Sequence, residues 1–583
     1  MLHLVLESRL REAVGNVIPD ADLPAIRVRP CPDPRFGDYQ TNALMGLAKA
    51  RRLNPRQLAA EVIARLDVRA WCDSVEVAGA GFLNFRVSPS ALATVLREVL
   101  AEGRPLVPRA DPIRTVVLDF SSPNVAKPMH VGHIRSTILG DCLARTLRLL
   151  GHRVITDNHI GDWGTQFGML LVGWKRILDR DALAADPLRE LERIYREINA
   201  RCDPEKEGFD PALLESARAE LVKLQAGDSE NLEIWREMQR LSQAQFDAIY
   251  TRLGVRFDHT LGESFYNPRL PAVVEDLRAR GIARESEGAI VVFFDDHPEL
   301  KDAPTIVQKR DGGFNYATTD LATLAYRVET WQPQEIIYVT DGRQQLHFKQ
   351  VFEAFRRWKP DVAVTLAHVW FGSILGEDNK PLKTRAGDTV KLADLLDEAE
   401  ERALQVVTEK NPDLSEAERR EIARIVGIGA VKYQDLLPNR QSDYVFSWSK
   451  MLALSGNTAP YLQYAYARIR SIFRKQAEQD PENRWEPSGA VAFELTTPEE
   501  LRLAKHLLNF GIVVEMVADE YRPNYLCNYL FELAGHFTGF YEACPVLKAE
   551  GRQRASRLAL CEITARVLQQ GLNLLGIETA ERM

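Results

Sequence analysis

DFSSPNVAKPMHVGHIRSTILGD, residues 119–141, closes an apolar run and opens a helical one. Upstream, TVVLDF (115–120) is β-branched and apolar without alternation, the pattern of a parallel strand covered on both faces. Downstream, Ile134, Ile138, Cys142 and Leu149 fall roughly on one side of a helix that Gly151 is placed to end. HRVITDN follows, and later EIIYVTDG (335–342) and AVTLAHVWFG (363–372), each a short apolar run ending in polar residues. Strands alternating with helices predict a doubly wound parallel sheet, whose ligands bind beyond the carboxyl ends of the strands. Residues 119–141 cross that edge.

Working outward, the 583 residues are too many for one core and predict several domains. Residues 1–108 read as a small α/β domain, with an amphipathic helix at the start, a polar-aromatic loop PRFGDYQTN, and strands in VEVAG and FLNFRV. The proline-rich stretch 101–112 reads as a linker. The sheet domain is expected over 109–390, with a charged, mostly helical insertion at about 173–300. Residues 391–454 read as a helical connection and 455–583 as an all-α domain. Hydrophobic residues make up 45% and no apolar run is long enough to span a bilayer, so no membrane partner is expected. The seven scattered cysteines form no CxxC pair, which points to a reducing compartment, with the cytoplasm as default, and away from structural zinc. Net charge is −8, so a nucleic-acid partner would have to be met by local basic patches and shape.

His130-Val131-Gly132-His133 falls where the helix begins, with backbone N–H groups and the positive dipole end toward the crevice. Two imidazoles one turn apart can donate to phosphate oxygens, and Gly132 leaves room for an adenine or ribose. Ser121, Ser122, Asn124 and Lys127 lie alongside. There is no GxxxxGK[ST] loop, and GAGFLN (79–84) lacks the third glycine of GxGxxG, so a phosphate site here is of another type. A pair of histidines that merely caps a helix is the plain alternative.

The segment resembles the HIGH signature of class I aminoacyl-tRNA synthetases, with Val131 in place of the usual isoleucine. SSPNVAKPMHVGHIRST is similar to the arginyl members specifically. The resemblance continues through FGDYQTN (36–42), GAGFLNF (79–85), NYATTDLA (315–322), YVTDGRQQLHF (338–348) and APYLQYAYARIRSI (459–472). One motif departs: the KMSKS signature reads Lys380-Pro381-Leu382-Lys383-Thr384, with both lysines and a hydroxyl in place but no Met-Ser pair. The resemblance implies a Rossmann-type catalytic domain and an ATP-dependent arginine–tRNA ligase that uses L-arginine, tRNA(Arg) and ATP carrying Mg²⁺. Activation would require tRNA, and the chain would be monomeric.

Residue by residue, the resemblance implies His130, His133, Lys127, Lys380 and Lys383 as catalytic groups, with Gly132 and Arg385 added at the ATP. It places Asp119 toward the α-amino group of arginine and Tyr316 and Asp320 toward the guanidinium, with Asn124 and Gln344 completing the shell. The chemistry agrees, since five guanidinium donors need carboxylates and neutral acceptors in a fork. Tyr316 and Asp320, four apart, share a face if their segment is helical. For tRNA, the resemblance implies elbow contacts from Phe82 and Asn84 and anticodon contacts from the 455–583 bundle. There Tyr461, Tyr464, Tyr466, Arg468 and Arg470 interleave aromatics with cations. Two other readings stay open at this point: a noncatalytic tRNA-binding paralogue, and a small-molecule ligase of the same nucleotidyl-transfer superfamily.

Overall fold

The computed structural model describes residues 1–383, 389–482 and 484–583. These divide into two compact units, one of Asp111–Glu409 with Gly427–Met451, the other of Met1–Ala110 with Lys410–Val426 and Leu452–Met583.

The first unit is built on four parallel strands: β1 (Thr115–Phe120), β2 (Arg153–Asp157), β3 (Glu335–Val339) and β4 (Thr365–His368). They lie in the order β4-β3-β1-β2. Helix α1 (Val131–Leu149) connects β1 to β2. Gly140 of α1 sits over the Phe120 ring of β1, and a Cβ there would collide with it, so the glycine lets helix and strand close up. In the insertion, Asp186 caps α2 (Pro187–Cys202), which has proline at its first position and a backbone N–H bonded to the Asp186 carboxylate. Helix α3 (Tyr316–Trp331) leads into β3, and α4 (Gln345–Trp358) leads from β3 to β4. Register brings His368, Tyr338, Asp119 and Asp157 into one row across all four strands at their carboxyl edge.

The insertion is helical through Leu270–Ala279, but it then forms a three-stranded antiparallel sheet of Ala283–Ser286, Ala289–Val292 and Thr305–Gln308. The sequence reading missed this sheet. Glu287 and Gly288 both take positive φ (51° and 82°) at the hairpin turn between its first two strands, a tight-turn signal hidden in a charged run.

In the second unit, Arg29–Pro30, Tyr39–Thr41, Phe82–Val87 and Cys72–Ala78 make an antiparallel sheet in that order. Part of FGDYQTN, read as loop, is therefore strand, because Tyr39 and Thr41 turn inward and are buried. Helix Leu2–Val17 buries Leu2, Leu6, Leu10 and Val14 as its amphipathic pattern requires. The same core takes in Ile512 of helix Phe510–Glu520, and His3 Nε2 meets Glu515 Oε2 at 3.1 Å. The first hundred residues and the C-terminal helices thus share one hydrophobic interior.

Candidate active site

The loop after β1 is strained and tightly held. Ser121, Ser122 and Ala126 take left-handed φ of 75°, 49° and 62°, a cost that persists only where the surroundings impose it. They do: Ser121 N–H donates to Ser136 Oγ (2.8 Å), Ser122 N–H to Asn158 Oδ1 (3.0 Å) and Ala126 N–H to Ser242 Oγ (2.9 Å). Asn124 is exposed at the crest of this loop, and its amide oxygen lies directly over Gly161, leaving no room there for a side chain.

At the start of α1 the two histidines cap the helix. His130 Nδ1 accepts from Gly132 N–H (3.0 Å) and His133 Nδ1 accepts from His130 N–H (3.1 Å), with the rings 4.0 Å apart. The capping alternative and the functional one are therefore compatible. With Nδ1 accepting, the proton of each neutral ring resides on Nε2, leaving one N–H donor free per ring. Both rings are held neutral. Burial, then the charge of His130, pushes His133 down to about 3, and burial, then Arg343 and Lys127, lowers His130. A Cβ at Gly132 would meet the His130 ring at 2.8 Å, so the glycine makes room for that imidazole.

Lys127 is exposed, its Nζ 5.0 Å from the centre of the Tyr195 ring on α2. Both line a groove of about 830 Å³, together with His130, Arg189, Glu192, Arg196, Glu197 and Lys391 among others. Lys380 and Lys383 are exposed. The chain beyond them returns to the histidines, because Lys391 bridges to His130 and Val131 N–H donates to Val390 O at 3.0 Å. Arg385 and Thr384 lie outside the described residues.

Tyr316 is the first residue of α3 and 72% exposed, and Asp320 follows one turn on. His347 of α4 meets Asp320 Oδ2 at 2.5 Å. Burial opposes protonation of His347, but the hydrogen bond and charge of Asp320 outweigh it and raise its pKa. Gln344, in the turn before α4, is exposed. The sequence reading missed Glu263. Burial, then the charges of Asp162 and Asp320, push its carboxyl up to about 8, and burial, then the charge of Glu263, raises Tyr316. Asp162 is itself buried, accepting from Ser264 N–H and Oγ and from Gln239 Nε2. Carboxyl groups thus gather where a cation would relieve their mutual repulsion. No periodicity marks Glu263, which sits in the four-residue helix Glu263–Tyr266.

Asp119 is buried. Its Oδ1 accepts from Ser122 Oγ (3.1 Å) and its Oδ2 from Arg327 Nη2 (2.6 Å), an ion pair the sequence reading did not foresee.

Residues 95–448 match the family model for the class I tRNA synthetase (R) catalytic domain, 462–583 that for the DALR anticodon binding domain, and 4–87 that for the arginyl tRNA synthetase N terminal domain. Curated arginine–tRNA ligases of Chromobacterium violaceum and Cellvibrio japonicus are each 47% identical over 590 residues, with 100% and 99% of both chains covered, respectively. The chain belongs to the arginyl-tRNA synthetase family. The arginyl-tRNA synthetase structure from Thermus thermophilus superposes with a TM-score of 0.83 at 28% identity, covering 100% of each chain. That from Plasmodium falciparum gives 0.83 at 27%, covering 100% of this chain and 99% of that one. Membership makes the chain a class I aminoacyl-tRNA ligase with an α/β, Rossmann-type catalytic fold.

The synthetase's tRNA residues were read unevenly. Tyr464 is 48% exposed, and Arg468 lies 4.9 Å from the centre of the Tyr541 ring at the surface of its helix. Tyr461 packs beside Phe531. Tyr466 and Arg470, however, are committed inward: the Tyr466 hydroxyl donates to Glu581, and Arg470 pairs with Glu562 and Glu581. Phe82 is half-buried, whereas Asn84 is buried at 5% exposure. It lies on the strand face opposite the core residues Leu83, Phe85 and Val87, and the loop at Gly37 packs over it.

Proposed function

We propose that the crevice at the carboxyl edge of the sheet activates L-arginine with ATP and passes the arginyl group to the 3′-terminal adenosine of tRNA(Arg). The observation that supports it best is the pair of neutral Nε2–H donors at a helix N-terminus, beside the carboxyl edge of the sheet that carries buried Asp119. In the first step the arginine carboxylate attacks the α-phosphorus of ATP in line, and the bond to pyrophosphate breaks. In the second, a ribose hydroxyl attacks the activated carbonyl and AMP leaves.

No protein nucleophile is required, so the residues position groups and stabilise charge. His130 and His133 donate to phosphate oxygens. They are too weakly basic to carry a proton at neutral pH, so they act as hydrogen-bond donors and not as acids. Lys127, with Lys380 and Lys383, offsets charge on the departing pyrophosphate, and Mg²⁺ arrives with the ATP. Asp119 Oδ1 takes the α-ammonium, Asn124 and Gln344 complete that end, and Tyr316, Asp320 and Glu263 take the guanidinium. Lysine, a point charge with three donors, cannot satisfy that acceptor set.

The regions keep the roles expected of them. Residues 1–108 meet the tRNA elbow through the Phe82 surface, 391–454 its stem, and 455–583 the anticodon through Tyr461, Tyr464 and Arg468. The enzyme works as a cytoplasmic monomer. Among the described residues, no helix is long and apolar enough to cross a membrane. Activation needs tRNA. Arginine-dependent ATP–pyrophosphate exchange tests this: exchange should appear only when tRNA(Arg) is added. Exchange at the same rate without tRNA overturns the dependence, and none under either condition overturns the ligase mechanism.

A further inference from the structure

Among the described residues Arg327 is the largest fully buried side chain, at 0% exposure, and nothing in the reaction described so far uses it. It lies on the face of α3 that carries Tyr316 and Asp320. Asp320 is seven residues away and Tyr316 eleven, both within about 20° of it around a helix of 3.6 residues per turn. Tyr316 and Arg327 therefore mark the two ends of one stripe about 16 Å long at 1.5 Å per residue.

At the inner end of that stripe, a single Arg327 nitrogen, Nη2, donates to Asp119 Oδ2 at 2.6 Å and to Asp157 Oδ2 at 2.8 Å. Register makes those two aspartates direct neighbours on adjacent parallel strands, one strand spacing of about 4.8 Å apart. Asp157 is 0% exposed, and burial, opposed by Arg327 and reinforced by Asp119, raises its pKa. Two carboxylates so placed cannot both stay charged without a cation between them. The guanidinium also lies 5.2 Å from the centre of the Tyr338 ring, the next residue in the same row. Among the described residues, Arg327 Nε and Nη1, Asp157 Oδ1 and the Tyr266 and Tyr338 hydroxyls have no hydrogen-bond partner. Arg327 is thus held chiefly by the two aspartates.

We propose that Arg327 is a positioning residue for the amino-acid site. It balances the charge of the Asp119–Asp157 pair and so leaves Asp119 Oδ1 turned toward the α-ammonium of arginine. The inference rests on the reading of Asp119 as the α-ammonium partner, and the test separates the two. A residue that only filled the core would affect both ends of the substrate alike, whereas Arg327 acts on the end that Asp119 binds.

The experiment measures binding of L-arginine and of 5-guanidinovalerate, which lacks the α-amino group, by calorimetry. The full-length variants are Asp119→Asn, Arg327→Met and Arg327→Met/Asp157→Asn, with the Michaelis constant for ATP followed in parallel. Asp119→Asn should weaken arginine at least tenfold and leave 5-guanidinovalerate unchanged. Arg327→Met should reproduce that selective loss with the ATP constant unmoved. The double variant, which removes one positive and one negative charge together, should return arginine binding to within about threefold of the parent. If Arg327→Met does not fold, the double variant carries the test alone, since the proposal requires it to fold and to bind arginine. Selective loss in Asp119→Asn with none in Arg327→Met, or loss in both Arg327 variants that is equal for the two ligands, overturns the role of Arg327 while leaving Asp119 in place. Absence of selective loss in Asp119→Asn overturns the α-ammonium reading itself.

Discussion

Arginine binding should expel a proton from the site, and Glu263 is its source. The carboxyl stands at about 8 because it is buried and faces Asp162 and Asp320. At pH 7 it is therefore about nine-tenths protonated before substrate arrives. A guanidinium placed among these groups favours the ionised form, so binding releases about 0.9 proton at pH 7. Apparent affinity then rises close to tenfold per pH unit on the acid side of 8, about 1.4 kcal/mol per unit, and levels off above it. Calorimetry in two buffers of different ionisation enthalpy reads the proton count directly. Glu263→Gln should abolish most of the release and flatten the pH profile. His347, also raised by Asp320, is the other group placed to contribute. A wild-type enzyme that releases no proton at pH 7 refutes the reasoning, and release that survives intact in Glu263→Gln assigns it to His347 instead.

Three further outcomes follow from the same geometry. His133→Ala, which removes one Nε2–H donor, should lower the turnover of ATP–pyrophosphate exchange by about a hundredfold or more with little change in the Michaelis constant for arginine; a change in the constant alone would contradict the assignment. Gly140→Ala and Gly161→Ala should part company. The first forces a methyl into the Phe120 ring and should cost about 1–3 kcal/mol in denaturant melts, whereas the second displaces the exposed Asn124 amide and should raise the Michaelis constant for arginine with the melting midpoint unchanged. The His347–Asp320 pair should contribute stability that is complete below pH 6.5, where His347 is charged in both states, and is lost as pH rises through the elevated folded pKa. Thermal melts of wild type against His347→Gln should therefore converge above that window.

What could be read in the sequence was what repeats locally. The unbroken apolar run of β1, the helical spacing of Ile134, Ile138 and Cys142, and the glycine-flanked histidines carry period and cap signals that survive without neighbours. Tyr316 and Asp320 could be paired because four residues are one helical turn. Glu263 and Arg327 were invisible for the opposite reason. Each acquires its character from groups on other elements, Glu263 from Asp162 and Asp320, and Arg327 from two strands that register alone makes adjacent. A buried arginine in a helix and a glutamate in a short turn look like surface residues until the sheet is assembled. Asn84 acquired its burial in the same way, from the loop at Gly37 that packs over the face of its strand opposite Leu83, Phe85 and Val87. Tyr466 and Arg470 were likewise claimed by Glu562 and Glu581, about a hundred residues downstream along the chain.

The most direct test is charging of unfractionated tRNA by the purified protein with ATP and Mg²⁺, offering labelled arginine, lysine, glutamine and cysteine in parallel. The account predicts charging with arginine alone, lost in both His133→Ala and Asp320→Ala. Charging with lysine at a comparable rate, or arginine charging that survives in Asp320→Ala, would contradict it.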